Sequence, residues 1–190
     1  MLFEGVSLRK LLVMLLLALT AYAGWAEVPV LSERSAKSDA TLSELREWVG
    51  EEIDAVVEAT GVKSEWGLGG ASELRWVEDR ERIFEVSHLP NCTYETGKVN
   101  PASVRIDLMT DPLDQDPFLL LEQVRNLWIE RGWEVGNLPG SGQGQSQILT
   151  IRADREDGAL ATLSAGDAEG GRMLGLMVES ACSNDPSVAR

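Results

Sequence analysis

Histidine occurs once in the 190 residues, at position 88, and cysteine twice, at positions 92 and 182. A single imidazole excludes a zinc centre built on several histidines, and neither an HExxH helix nor a GxSxG nucleophile elbow is present. A Ser–His–Asp triad would have to use His88, which stands just before Pro90 and Cys92 and reads as a turn or surface residue. Basic residues are also scarce: 17 Lys and Arg face 31 Asp and Glu, a net charge of −14. So acidic a surface repels phosphate backbones and anionic headgroups, which excludes nucleic acid and lipid surfaces as expected partners. Acidity favours solubility and names no partner of its own. Internal repeats of the kind that build solenoids are absent. An apolar stretch of about 20 residues, the length of an ordinary membrane-spanning helix, is lacking too.

What is present begins with an address. Arg9 and Lys10 precede the apolar run Leu11–Leu19, and Ala21-Tyr22-Ala23 follows it. A positive flank, a short apolar run and small residues two apart form the layout of a secretory signal peptide, here residues 1–23. Gly24 and Ala26 offer an alternative cut after Ala26. The mature chain is expected in the cell envelope or outside the cell, in an oxidising space. Its 167 residues would carry 15 basic against 30 acidic groups, a charge of −15. That length suits one domain plus a tether, burying about 70 % of the surface its unfolded chain exposes. After export, the even cysteine count favours one disulfide, Cys92–Cys182. It closes a ring of about 90 residues, for which the chain-entropy model assigns roughly 4–5 kcal/mol.

Residues 24–40 read as a flexible tether, 41–185 as a single domain and 186–190 as a tail. Thr41-Leu42-Ser43-Glu44 fits a capping box. Leu42, Leu45, Val49, Ile53, Val56 and Val57 then recur at helical spacing, opposite Glu44, Glu47, Glu51 and Asp54, until Gly61 ends the helix. Val62–Asp79, dense in glycine, reads as a loop or hairpin tip, and Arg82–Ser87 as a strand. Val104, Ile106 and Leu108 alternate with Arg105 and Asp107, a half-buried strand. Asp116-Pro117 opens a second helix with Leu120, Leu121, Val124, Leu127 and Trp128 on its buried stripe, and Gly132 closes it. Strands follow over Trp133–Gly136, Gln147–Ala153, Ala159–Ser164 and Arg172–Ser180. The loop Asn137–Ser146 and the turns Asp157-Gly158 and Gly166–Gly171 separate them. Short turns make sequential strands antiparallel. The expected fold is α+β, a two-layer sandwich of an antiparallel sheet with two amphipathic helices.

No constellation of catalytic, metal or cofactor residues emerges. Gly140-Ser-Gly-Gln-Gly144 lacks the Lys-Ser/Thr of a phosphate loop and joins two strands, so it reads as a hairpin tip. Asp111, Asp114 and Asp116 form a local acidic cluster, but Pro112 and Pro117 interrupt it and Asp116 serves as a helix cap. Asp154, Glu156 and Asp157 read as a solvated turn. Asn91-Cys92-Thr93 matches a glycosylation pattern, yet its middle residue is the bridging cysteine and no sugar is expected. Trp48 and Trp128 fit core positions on the two helices. Trp66 and Trp76 flank the glycine-rich loop and are the candidates for lining a ligand surface.

Taken together, the leader and tether, Gly132-Trp133, Asp157-Gly158 and the terminal Glu179-Ser180-Ala181-Cys182 resemble a broad class of small exported proteins. These come from high-GC Gram-positive bacteria, and many are lipoproteins without assigned function. The resemblance spans Thr41–Ser183. It implies an envelope or secreted location and a disulfide, and it carries no catalytic residue over. One departure stands out: Ala23-Gly24 is followed by Trp25 where a lipoprotein has its lipid-accepting cysteine. Membrane attachment would then come only through an uncleaved leader. The expected function is a non-enzymatic module engaging an envelope component or another protein. The alternatives are a carrier for a small apolar ligand between helices and sheet near Trp66 and Trp76, and a hydrolase using carboxylates such as Asp111 and Asp114.

Overall fold

Threonine at an N-cap with glutamate three residues later starts the first helix. The computed structural model describes residues 38–69, 73–93, 98–138, 147–168 and 171–189; the leader, its two cut sites and the Gly140–Gly144 loop lie outside them. Thr41 Oγ1 accepts from the Glu44 amide at 3.3 Å, and Glu44 Oε2 accepts from the Thr41 amide at 2.8 Å. This reciprocal pair opens α1, Leu42–Thr60, and Gly61 closes it in the left-handed region at φ 71°. The expected stripe from Leu45 to Val57 is buried, and so is Glu52.

The remaining elements in chain order are β1 (Trp66–Leu68), α2 (Trp76–Val86), β2 (Arg105–Thr110), α3 (Pro117–Glu130), β3 (Glu134–Asn137), β4 (Gln147–Asp154), β5 (Leu160–Ala168) and β6 (Gly171–Glu179). Asp116 caps α3 by accepting from the Phe118 amide at 2.9 Å, with Pro117 in its first turn. Six strands form one sheet in the order β1-β2-β6-β5-β4-β3, every neighbouring pair antiparallel. The fold is therefore α+β with an antiparallel sheet.

Alternation along the strands decides which sheet face is dry. Ile106 and Leu108, then Leu174, Leu176 and Val178, then Leu163 and Ala165, then Ile151 and Ala153 share that face and are buried. They join the stripes of α1 and α3 in one continuous cluster, to which Trp66, Trp76, Ile83 and Phe84 also belong. On the opposite face lie Arg105, Asp107, Thr162, Ser164, Thr150 and Arg152, all partly exposed.

Two local expectations are corrected. Arg82–Ser87 is not a strand: it lies in α2 up to Val86, giving three helices among the described residues. Ile83 and Phe84 are adjacent in sequence and both buried. A strand would send them to opposite faces, whereas a helix packs both on one side. Val62–Asp79 is likewise more than a loop, since it contains β1 and the first turn of α2. Arg75 holds this segment in place: its Nη1 donates to the Glu65 carbonyl at 3.2 Å and its Nη2 pairs with Asp111 at 2.7 Å.

The Cys92–Cys182 disulfide forms with a Cα–Cα distance of 6.2 Å. It ties the segment before β2 to the residues that follow β6. Flanking backbone bonds run between Ala102 and Ser183 in both directions, at 3.1 and 2.8 Å. Ser38 pairs with Ser183, and Val188 is fully buried, so order reaches past Thr41 and Asp185 at both ends.

Candidate functional site

Three indoles meet where α1, the end of α3 and the β4–β5 turn converge. Trp48 stacks on Trp133 with centroids 6.1 Å apart, and Trp133 lies 6.1 Å from Trp128. α1 delivers Trp48, Glu51 and Glu52, which the three- and four-residue spacing sets on one side of the helix. The end of α3 delivers Arg131 and Trp133. Between them Gly132 adopts φ 81°, a conformation side chains resist, which turns the chain so that the Trp133 amide donates back to the Trp128 carbonyl at 2.9 Å. The β4–β5 turn delivers Arg155, Glu156 and Asp157.

All of these except the buried Trp128 line an open cleft of about 820 Å³. Arg155 lies over its aromatic floor, with its guanidinium carbon 5.0 Å from the Trp48 ring centre and 5.8 Å from that of Trp133. Asp157 holds the same guanidinium at 2.8 Å. Arg131 Nη2 pairs with Glu52 Oε1 at 3.1 Å.

Glu52 is the unusual member. It is 4 % exposed, and its Oε2 accepts no hydrogen bond. Burial raises its pKa above the ordinary glutamate range, opposed by Arg131 and Arg155 and reinforced by Glu51. A partly compensated, desolvated carboxylate lies buried beside the cleft. The cleft thus offers a planar aromatic surface, two cations and several carboxylates, with the unsatisfied Glu52 oxygen buried at its edge.

No family model, curated protein or solved structure matches this chain.

The residues singled out from sequence lie elsewhere. Trp66 and Trp76 are 0 % and 1 % exposed, so neither presents a surface to a ligand. Their indole N–H groups donate to Thr60 Oγ1 at 3.4 Å and to Asp54 Oδ1 at 2.8 Å. Trp76 meets Phe84 edge-on, and Arg80 covers it at 5.2 Å. Burial follows because β1 and α2 place both rings against α1, where the sequence suggests only a glycine-rich loop. Asp111 is paired with Arg75, and Asp114 is exposed, with its carbonyl accepting from Arg172 Nη1 at 3.5 Å. His88 is exposed. Among the described residues no group of three His, Cys, Asp or Glu side chains could hold a metal ion, and no helix is long and apolar enough to cross a membrane.

Sequence reading takes Trp48 and Trp128 as core and Asp154, Glu156 and Asp157 as a solvated turn, and so overlooks the cleft. One signal was available. Leu45, Val49, Glu52 and Val56 follow one another at spacings of four, three and four, which places a carboxylate inside the apolar stripe of α1.

Proposed function

We propose that the chain is an exported, non-enzymatic interaction module that engages an envelope component or another protein through the cleft over Trp48 and Trp133. The leader pattern of residues 1–23 supports export, and the resemblance to small exported proteins of high-GC Gram-positive bacteria agrees with it. The Cys92–Cys182 bridge suits an oxidising compartment.

One observation carries the interaction reading: Glu52 Oε2 is buried without a donor at the edge of an open cleft. An unsatisfied carboxylate oxygen costs free energy, and a group of this kind in a folded protein calls for an explanation. A ligand N–H or O–H supplies the missing donor once the side chains over this oxygen move aside, while its apolar part rests on the indoles. Indole and arginine are also the side chains most often dominant in protein interfaces.

The test is an NMR titration of the full protein carrying ¹⁵N-labelled indoles. The probes are a basic peptide, an acidic peptide, a neutral oligosaccharide and a fatty acid. The expected result is that at least one of them shifts the indole signals of Trp48 and Trp133 saturably, and that Trp48→Ala abolishes the response. If only Trp66 and Trp76 respond, and only to the fatty acid, the protein is an apolar-ligand carrier and the reading fails.

A further inference from the structure

We infer that the cleft recognises an arginine side chain of a basic peptide segment, and that Arg155 occupies the place of that arginine in the free protein. The inference deepens the reading of the cleft as the interaction site and rests on it.

The first argument is geometric. A guanidinium is planar and weakly hydrated, so it stacks on aromatic faces in a way an ammonium does not. Here a guanidinium already lies over two indoles at once, at 5.0 and 5.8 Å, with one carboxylate beside it at 2.8 Å. The floor and wall of a guanidinium site are therefore built. The group occupying it comes from a hairpin turn, Arg155-Glu156-Asp157-Gly158, not from a helix or the interior of a strand. That turn is short: the Gly158 amide donates to the Arg155 carbonyl at 3.0 Å, and the Arg155 amide to the Ala159 carbonyl at 2.9 Å. The Arg155 side chain can rotate outward on this fixed backbone.

The second argument is charge. Glu51, Glu52, Glu156 and Asp157 outnumber Arg131 and Arg155 in the cleft, and the whole chain carries −14. Arg131 is committed to Glu52 Oε1. When an incoming arginine displaces Arg155, Asp157 exchanges one cation for another, and no charge is left newly buried. Glu52 Oε2 has no donor with Arg155 in place and is itself buried, so a guanidinium in the same place leaves it as it is. Exchange thus replaces like with like at the indoles and at Asp157, and the cleft's excess of carboxylates favours the added positive charge of the segment. This makes Arg155 a competitor of the ligand, which yields a result contrary to ordinary interface mutagenesis: removing an interface arginine should strengthen binding.

The experiment uses the purified full chain and a blocked pentapeptide containing two arginines. Its controls are the same peptide with citrulline, which keeps the shape and removes the charge, and with lysine. Binding is measured by calorimetry at about 0.15 M salt, where interactions with distant surface charges are screened. The expected order is arginine, then lysine, with citrulline at least tenfold weaker. Arg155→Ala should bind the arginine peptide roughly five- to tenfold more tightly, and Trp48→Ala at least tenfold more weakly. Glu51→Lys, at an exposed position, should also weaken binding several-fold, and it keeps the charge argument testable if Trp48→Ala does not fold. Equal binding of arginine and citrulline peptides, or unchanged or weaker binding by Arg155→Ala, overturns the inference. If the neutral oligosaccharide shifts Trp48 and Trp133 while the arginine peptide does not, the cleft remains the interaction site and the arginine assignment alone falls.

Discussion

The guanidinium of Arg80 lies where a side chain at position 50 would begin: a Cβ on Gly50 would collide with Arg80 Nη2 and Cζ. The same guanidinium pairs with Asp54 at 2.6 Å and covers Trp76 and Phe84 at 5.2 and 5.9 Å. Glycine in the middle of α1 is thus the condition for docking α2 through one arginine.

Two effects oppose each other when Gly50 becomes alanine. Helix propensity favours the change by about 1 kcal/mol. Expelling Arg80 forfeits a half-exposed ion pair and its aromatic contacts, about 0.5–1.5 kcal/mol together. Gly50→Ala alone should therefore change stability little. In an Arg80→Ala background the obstacle is gone, and the same substitution should stabilise by about 0.5–1 kcal/mol. Urea unfolding of the four proteins in the cycle measures the coupling, and strict additivity would show that the two residues do not compete for space.

Loss of the disulfide gives a second expectation. Cys92→Ser should lower the unfolding midpoint, with a free-energy cost up to the roughly 4–5 kcal/mol of the chain-entropy model. Thiol titration should find no reactive groups in the native protein and one in the variant. Two reactive thiols in the native protein would contradict the bridge.

Burial of Trp66 and Trp76 predicts that Trp66→Ala and Trp76→Ala each cost about 3–5 kcal/mol, the usual range for aromatic truncation in a core. A hydrophobic dye should not bind the parent protein saturably. A double variant that stays stable while losing such binding would show that the two rings face a ligand.

Acid and base act in opposite directions on different carboxylates. Burial raises the Glu52 pKa, so the folded state holds that proton more firmly than the unfolded chain. Stability from this group is greatest below the unfolded value and is lost as pH rises through the folded one. Glu44 and Asp185 are shifted down, by the hydrogen bonds from Thr41 and from Ser187, so their contributions are present above the unfolded value and disappear on acidification. Glu52→Gln should therefore gain on the parent as pH rises above the ordinary glutamate range. Denaturation midpoints measured from pH 4 to 8 test this, and parallel curves for the two proteins would refute a raised Glu52 pKa.

The sequence displays those parts of the fold that depend on local chemistry. Thr41 with Glu44, Gly61, and Asp116 with Pro117 each satisfy or avoid loose backbone groups within a few residues, so their roles are written locally. The alternating strands carry a period that survives any tertiary setting. Arg82–Ser87 lacks such a signal: whether Ile83 and Phe84 share a face depends on Trp76 and α1 being in place to receive them. The cleft is harder still. Trp48, Arg131, Trp133 and Arg155 come from three separate elements, and each taken alone reads as a core or surface residue. Glu52 was the exception, a carboxylate standing in an apolar row.

The place of β6 has a consequence in time. Among the described residues it is the last strand in sequence yet lies between β2 and β5, joining the β1–β2 side of the sheet to the β3–β4–β5 side. Until it arrives, Ile106 and Leu108 have no partner strand on that edge, and the helices have only part of a surface to cover. Cys182 lies beyond it, so oxidation with Cys92 also waits for the end of the chain. The β1–β2 pair and the β3–β4–β5 meander can each form earlier, but their union into one sheet waits for the final strand. The closing contacts of the sheet are thus its most distant in sequence, the class of contact whose loop-closure cost falls on the folding rate.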